Sequence, residues 1–290
     1  MTIRRFIMSK LSKKNLLLTV FSAFLALTVT ACNDEGSKSA KADTVPEHIK
    51  IGVVPGPYKD LLKNHLTKVV ESKGHKLDFV EFSDWVQPDS ALDAGEIDAN
   101  VFQHSIYLKA IVENQGLKLD EVINVPTLGL FAFSDKVKSL DDLKDGAQVA
   151  LPNDAVNLSR ALRFARDAGI ITLKADRDDL KASIADIDKN PKNLNFVPME
   201  AAQLPRSLDS TDLALVPGNY AYEAKLPFDK ALAKEKVSEP IKLVVTVQSD
   251  RVNTVGAFLK DAVASREFTS SVNADPLYRD FAKPELWPAN

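Results

Sequence analysis

From residue 48 onward the chain alternates short apolar runs with longer stretches in which apolar residues recur every three or four positions. Ile49-Lys50-Ile51-Gly52-Val53-Val54 reads as a buried strand, stopped by Pro55-Gly56-Pro57. Leu61, Leu62, Leu66, Val69 and Val70 then share one helical face, and Gly74 closes that helix. Residues 76–82 make a second strand. Ala91 and Leu92 open a short helix that runs to Gly95, and residues 97–102 make a third strand. A helix starting near His104 carries Tyr107, Leu108, Ile111 and Val112 at helical spacing. The order β-α-β-α-β-α predicts parallel pairing and the α/β class.

The second half repeats the alternation less regularly. Residues 122–133 are apolar with Pro126 and Gly129 inside, and read as a strand leading into a crossover. Ser139 is placed to cap a short helix at 140–144, with Asp142 at the capping-box position. Residues 147–151 make a strand. Pro152-Asn153-Asp154 then leads into a helix carrying Ala161, Leu162, Phe164 and Ala165, with Asn153 or Asp154 as its N-cap. Further strands fall at 195–199, 213–216 and 243–247, and helices at 252–263 and 268–272. This order fits a second lobe inserted within the first: residues 48–130 with 245–290 as one lobe, 131–244 as the other.

Two stretches concentrate side chains with chemistry. Residues 95–108 bring together Asn100, Phe102, Gln103, His104 and Tyr107, where a strand gives way to a helix. Open α/β sheets place ligands at such strand ends, and a buried amide or phenol needs a partner. Trp85 follows the second strand and stands at the same edge if the two strands are parallel neighbours. Two readings stand for these aromatics: core packing, or the wall of a small-ligand pocket. The second stretch is 152–160. Free N–H groups at a helix start, with Arg160 about one turn in, make a carboxylate clamp, because the guanidinium is a planar fork of donors. The same residues equally make a well-capped helix with a solvated arginine.

The first 31 residues change the picture of where the protein works. Arg4, Arg5, Lys10, Lys13 and Lys14 precede an apolar run that ends in Val29-Thr30-Ala31-Cys32. This is the three-part layout of a secretory signal, and its end resembles a bacterial lipobox in which Cys32 becomes the lipidated first mature residue. Residues 32–47 are small and polar and read as a flexible tether. Of 37 basic and 40 acidic residues, five basic ones lie in 1–31, so the mature chain carries a net charge of −8. An acidic domain of that kind hangs from its anchor instead of lying on anionic lipid, and the charge gives no basis for nucleic-acid binding. A single cysteine rules out an intramolecular disulfide, and the four histidines have no metal-site spacing.

Taken together, Asp98-Ala99-Asn100-Val101-Phe102-Gln103-His104 with Tyr107-Leu108, Pro152-Asn153-Asp154 with Asn157-Leu158 and Arg160, Asn190-Pro191-Lys192-Asn193-Leu194 and residues 200–208 resemble the NlpA/MetQ lipoprotein family. Those are substrate-binding proteins of methionine ABC importers. The resemblance implies a type II periplasmic-binding-protein fold, two α/β lobes with the ligand in the cleft between them. It implies ligand-binding roles for Trp85, where the family usually has Tyr, and for Phe102, His104, Tyr107, Asn153, Asn157 and Arg160, with Arg160 on the α-carboxylate and the rings around a thioether. It further implies an ABC permease as partner, lipidation at Cys32, a place in the cell envelope facing periplasm or exterior, and no cofactor. The chain also departs from the family. Pro217 stands where the family has an asparagine for the amino-acid head, with Asn219 two residues on as a substitute. Methionine, D-methionine and a methionine-containing dipeptide are all compatible with the pattern.

No Gly-x-Ser-x-Gly or His-Glu-x-x-His is present, and the one cysteine is taken by the anchor, so an enzyme is not expected. The competing expectation, motivated by Pro217, is a lipoprotein of the same fold acting as a surface adhesin or scaffold, with altered or lost amino-acid binding.

Overall fold

The computed structural model describes residues 44–175 and 179–287. The signal segment, Cys32 and most of the tether lie outside these residues. Two five-stranded sheets form the frame. In chain order the strands are β1 (His48–Val53), β2 (Lys76–Glu81), β3 (Ala99–Asn100), β4 (Leu119–Asn124), β5 (Leu130–Phe133), β6 (Gln148–Pro152), β7 (Thr172–Leu173), β8 (Ile187–Lys189), β9 (Asn195–Met199), β10 (Leu213–Pro217), β11 (Ala233–Lys234) and β12 (Val244–Gln248). The first sheet has the order β2-β1-β3-β12-β4, the second β11-β5-β10-β6-β9, and β7 pairs with β8 apart from both.

In the first sheet β1 runs parallel to both β2 and β3. Trp85 and Phe102 therefore follow strands that point the same way, but the strands are not direct neighbours, because β1 lies between them. The third strand is also shorter than its apolar run predicts. Only Ala99 and Asn100 join the ladder, although Asp98 N still donates to Lys50 O (2.8 Å) and Val101 N to Gly52 O (2.9 Å). The apolar run at 122–133 resolves into two strands, β4 and β5, with the chain passing from one sheet to the other between them. β4 starts at Leu119, three residues ahead of that run, where charged residues interrupt the apolar pattern. It is a sheet-edge strand with Asp120 and Glu121 exposed, and charge on an edge discourages pairing with other chains.

Helices cover the sheets: α1 (58–71, with a π-helical middle at Leu62–Leu66), α2 (Gln87–Asp93), α3 (Ser105–Gln115), α4 (Ala155–Asp167), α5 (Gly218–Glu223), α6 (Ala257–Val263) and α7 (Arg266–Ala274). The predicted face of α1 is buried in full: Leu61, Leu62, Leu66, Val69 and Val70 pack with Ile49, Ile51 and Val53 of β1 and with Phe268 and Val272 of α7. In the second sheet Val149, Leu151, Leu213 and Leu215 meet Ala161, Leu162, Phe164 and Ala165 of α4. Each such side chain contributes about 1.5–3 kcal/mol when fully buried. These two cores hold rigid the strand ends from which the site is built.

Candidate functional site

The first wall of the site grows from the carboxyl ends of β2 and β3. His104 sits between β3 and α3 in extended conformation and caps the helix, its Nδ1 accepting from Tyr107 N at 3.1 Å. That bond fixes the tautomer: Nδ1 has no proton, so Nε2–H donates to Asn157 Oδ1, 3.3 Å away on the opposite wall. Burial, reinforced by the positive charge of Arg160, pushes His104 down to about 3. It is a neutral hydrogen-bonding group here, not a base. Tyr107, one turn into α3, faces the same space. Its ring lies edge-on to Phe102 (6.3 Å between centroids) and to Trp85 (6.4 Å), and its hydroxyl donates to Trp85 O at 3.4 Å. Phe102, Tyr107 and Val54 form a small apolar cluster against which Trp85 is half-buried.

The second wall grows from β6 and β10. Asp154, not Asn153, caps α4: its carboxylate accepts from Asn157 N at 2.9 Å and from Asn157 Nδ2 at 3.2 Å. Because that amide nitrogen is held by Asp154, Asn157 Oδ1 is the atom turned toward His104. Arg160 follows at i+3 on the same helical face. Its Nε and Nη2 donate to the two carboxylate oxygens of Glu235 at 2.9 and 2.6 Å, and Glu235 also accepts from Leu130 N at 2.8 Å. Burial works to raise the Glu235 carboxyl, but the Arg160 charge and these hydrogen bonds outweigh it and hold the group below its ordinary range. The side-on edge of the guanidinium is thus committed to Glu235, and Nη1 is the nitrogen without a bond in this pair. From β10, Asn219 Nδ2 donates to Pro55 O across the cleft at 3.1 Å, and Tyr220 stacks at a tilt on Trp85 with centroids 5.2 Å apart.

Between the walls lies a cavity of about 30 Å³, lined by Trp85, Phe102, His104 and Tyr107 from one side and Asn157, Arg160 and Asn219 from the other. Asn153, also expected here, does not line this cavity but an adjoining one, which it shares with Trp85, Tyr107 and Tyr220. It is exposed, and its Nδ2 donates to Glu200 Oε1 at 2.8 Å, because it precedes the cap and points off the helix start. Tyr58, Gln103, Leu128, Pro217 and Gly218 also line the cavity. Tyr58 had a usable signal, since it follows the first strand just as Trp85 and Phe102 follow theirs. Gly218 is required by space: a Cβ there would stand 2.3 Å from Leu128 Cβ and 2.7 Å from Gly129 O. Glu235 had no local signal, being 75 residues from Arg160 in sequence. Among the described residues no group of three or more His, Cys, Asp or Glu side chains is placed to hold a metal ion.

Two α/β lobes whose strand ends face each other across a lined cleft define a two-lobed ligand-binding protein of the type II periplasmic class. More narrowly, the chain belongs to the NlpA lipoprotein family, whose model matches residues 49–285. It is 37% identical over 237 residues to the D-methionine-binding lipoprotein MetQ of Escherichia coli K12, covering 80% of this chain and 84% of that one. Among solved structures it is similar to a nutrient-binding protein from Burkholderia cenocepacia bound to methionine, with TM-score 0.75, 35% identity, and 81% and 99% of the two chains covered. It is also similar to the substrate-binding protein of a methionine transporter from Streptococcus pneumoniae, with TM-score 0.70, 30% identity, and 78% and 91% covered. The family is one of transport-linked binding proteins, not of enzymes.

Proposed function

We propose that this protein is the lipid-anchored, extracytoplasmic binding component of an ABC importer, and that it holds methionine or a close analogue between its lobes. The observation that carries the reading is the cavity itself, with aromatic rings on one side and Asn157 and Arg160 on the other. Rings at this spacing suit a thioether, worth about 0.3–1.5 kcal/mol per sulfur–aromatic contact. Arg160 supplies the positive end for an α-carboxylate, through the N–H groups that Glu235 does not use. A cavity of about 30 Å³ has room for a water or two, so a ligand of this size enters by parting the walls. The contacts that would break and re-form are His104–Asn157, Asn219–Pro55 and Trp85–Tyr220. Differential affinity for the closed arrangement then drives closure.

Lipid attachment at Cys32 and delivery to a permease rest on the sequence pattern and on the lipoprotein and transporter names of the relatives. No helix among the described residues is long and apolar enough to cross a membrane. Pro217 lines the cavity without a donor, and the Asn219 donor is spent on Pro55 O. That favours, as a second reading, a scaffold or adhesin with altered binding. Isothermal titration of the delipidated protein with L-methionine, D-methionine and a methionine-containing dipeptide separates the two: heat with at least one supports the first, and none with any of them supports the second.

A further inference from the structure

Polar groups on the second wall largely satisfy one another. On the first wall two do not, the Trp85 indole N–H and the Gln103 amide oxygen, and of these the oxygen is an acceptor. Gln103 lines the cavity and is only 3% exposed. Its Nε2 donates to Asp89 Oδ1 at 2.6 Å and lies 3.3 Å from Asn100 Oδ1. Asn100 Nδ2 donates to the same Asp89 oxygen at 2.8 Å. An ionised carboxylate accepts and cannot donate. The Gln103 amide therefore has one permitted orientation, with its NH₂ toward Asp89 and its carbonyl away from it. That carbonyl oxygen is buried with no hydrogen-bond partner, and so is Asp89 Oδ2.

Asp89 itself is 1% exposed, and its hydrogen-bond donors are the two side-chain amides. Burial pushes its carboxyl up to about 6, against the pull of those two amides. At neutral pH a carboxylate with no cationic partner in hydrogen-bond contact thus stands behind an amide dipole whose negative end is the unpartnered oxygen. A buried acceptor left unpaired is costly, and a ligand donor arriving in the cavity would recover that cost.

We propose that Gln103 Oε1, oriented by Asp89, is the acceptor for the ligand's ammonium group. This rests on the amino-acid reading above and completes it: Gln103 takes the cationic end of the head group on the first wall, and Arg160 the anionic end on the second. The test compares methionine with its des-amino analogue, which keeps the thioether and the carboxylate. By calorimetry the wild-type protein should prefer methionine. Gln103→Met, which keeps length and removes the acceptor, should weaken methionine by about 10- to 100-fold, the range for a hydrogen bond to a charged group, and leave the analogue unchanged, so that the preference collapses. Should Gln103→Met not fold, Asp89→Asn carries the test. It keeps an acceptor for Gln103 and removes the charge, and should weaken methionine several-fold and the analogue not at all. Equal weakening of both compounds, or an intact preference for methionine in a folded variant, overturns the proposal while leaving methionine binding in place. A wild-type protein that takes neither compound overturns the amino-acid reading and this inference with it.

Discussion

The two walls of the cavity are built on different principles. The wall from the first lobe is made of rings, Phe102, Tyr107 and Trp85, that support one another edge to face, and it leaves buried polar atoms of Gln103 and Trp85 unpaired. The wall from the second lobe is ionic and largely satisfied within itself: Asn157 is held by Asp154 and Arg160 by Glu235. The cost of binding therefore falls unevenly on the two walls. An apolar wall accepts a ligand by contact alone. A satisfied ionic wall has to share donors it already uses, so its contribution depends on what Arg160 has left over.

The largest effect is expected at Arg160. Arg160→Ala should cost about 3–5 kcal/mol of folding stability, because Glu235 is left buried without its partner, and methionine affinity should fall by about 2–5 kcal/mol. Denaturant unfolding and calorimetry measure the two. Replacing both Arg160 and Glu235 by leucine should recover most of the stability and none of the affinity; recovery of affinity would mean that the second wall does not bind through its charge. Phe102→Ala comes next, at about 3 kcal/mol of stability for a truncated buried ring, with weaker binding of thioether ligands. If methionine titrates unchanged, the rings are packing and not a ligand wall.

A smaller effect follows from His104. Its native value of about 3 lies below the ordinary 6.5. Between these values the unfolded chain takes up a proton that the native chain does not. Its contribution to stability is therefore full above about pH 6.5 and is lost as pH falls toward 3, by up to about 1.4 kcal/mol per pH unit. Asp89, raised to about 6, acts in the opposite sense across the upper part of that window, so the wild-type curve alone does not isolate His104. The advantage of wild type over His104→Gln in urea midpoint should shrink as pH is lowered; a constant difference would show that the histidine titrates normally. The smallest effect is expected at Asn153, exposed and bonded to Glu200. Asn153→Ala should change stability by no more than about 0.5 kcal/mol and leave affinity unchanged.

Much of this frame was legible in the sequence, because it rests on local signals. The face of α1, the strand at 195–199 and the helix start at His104 each announce themselves through periodicity or capping. The aromatic wall was legible for the same reason: its side chains lie within a few residues of strand ends. The ionic wall was legible only in half. Asp154 and Asn157 are a local cap, but the partner of Arg160 comes from residue 235, and no pattern along the chain joins the two. Asn153 shows the converse: it sits inside the recognisable motif, but its exposed side chain is bonded to Glu200 and lines an adjoining pocket instead of the cavity. Gln103 was visible in the motif, but its importance comes from Asp89, fourteen residues earlier, which fixes the amide.

If the reading of the cleft is right, the two walls hold one amino acid together. Native mass spectrometry of the protein purified without denaturation measures this most directly. The expected spectrum shows one bound molecule with the mass of methionine or a close analogue, lost on denaturation and weakened in Arg160→Ala. A bare polypeptide that remains bare after incubation with methionine of either hand would contradict it.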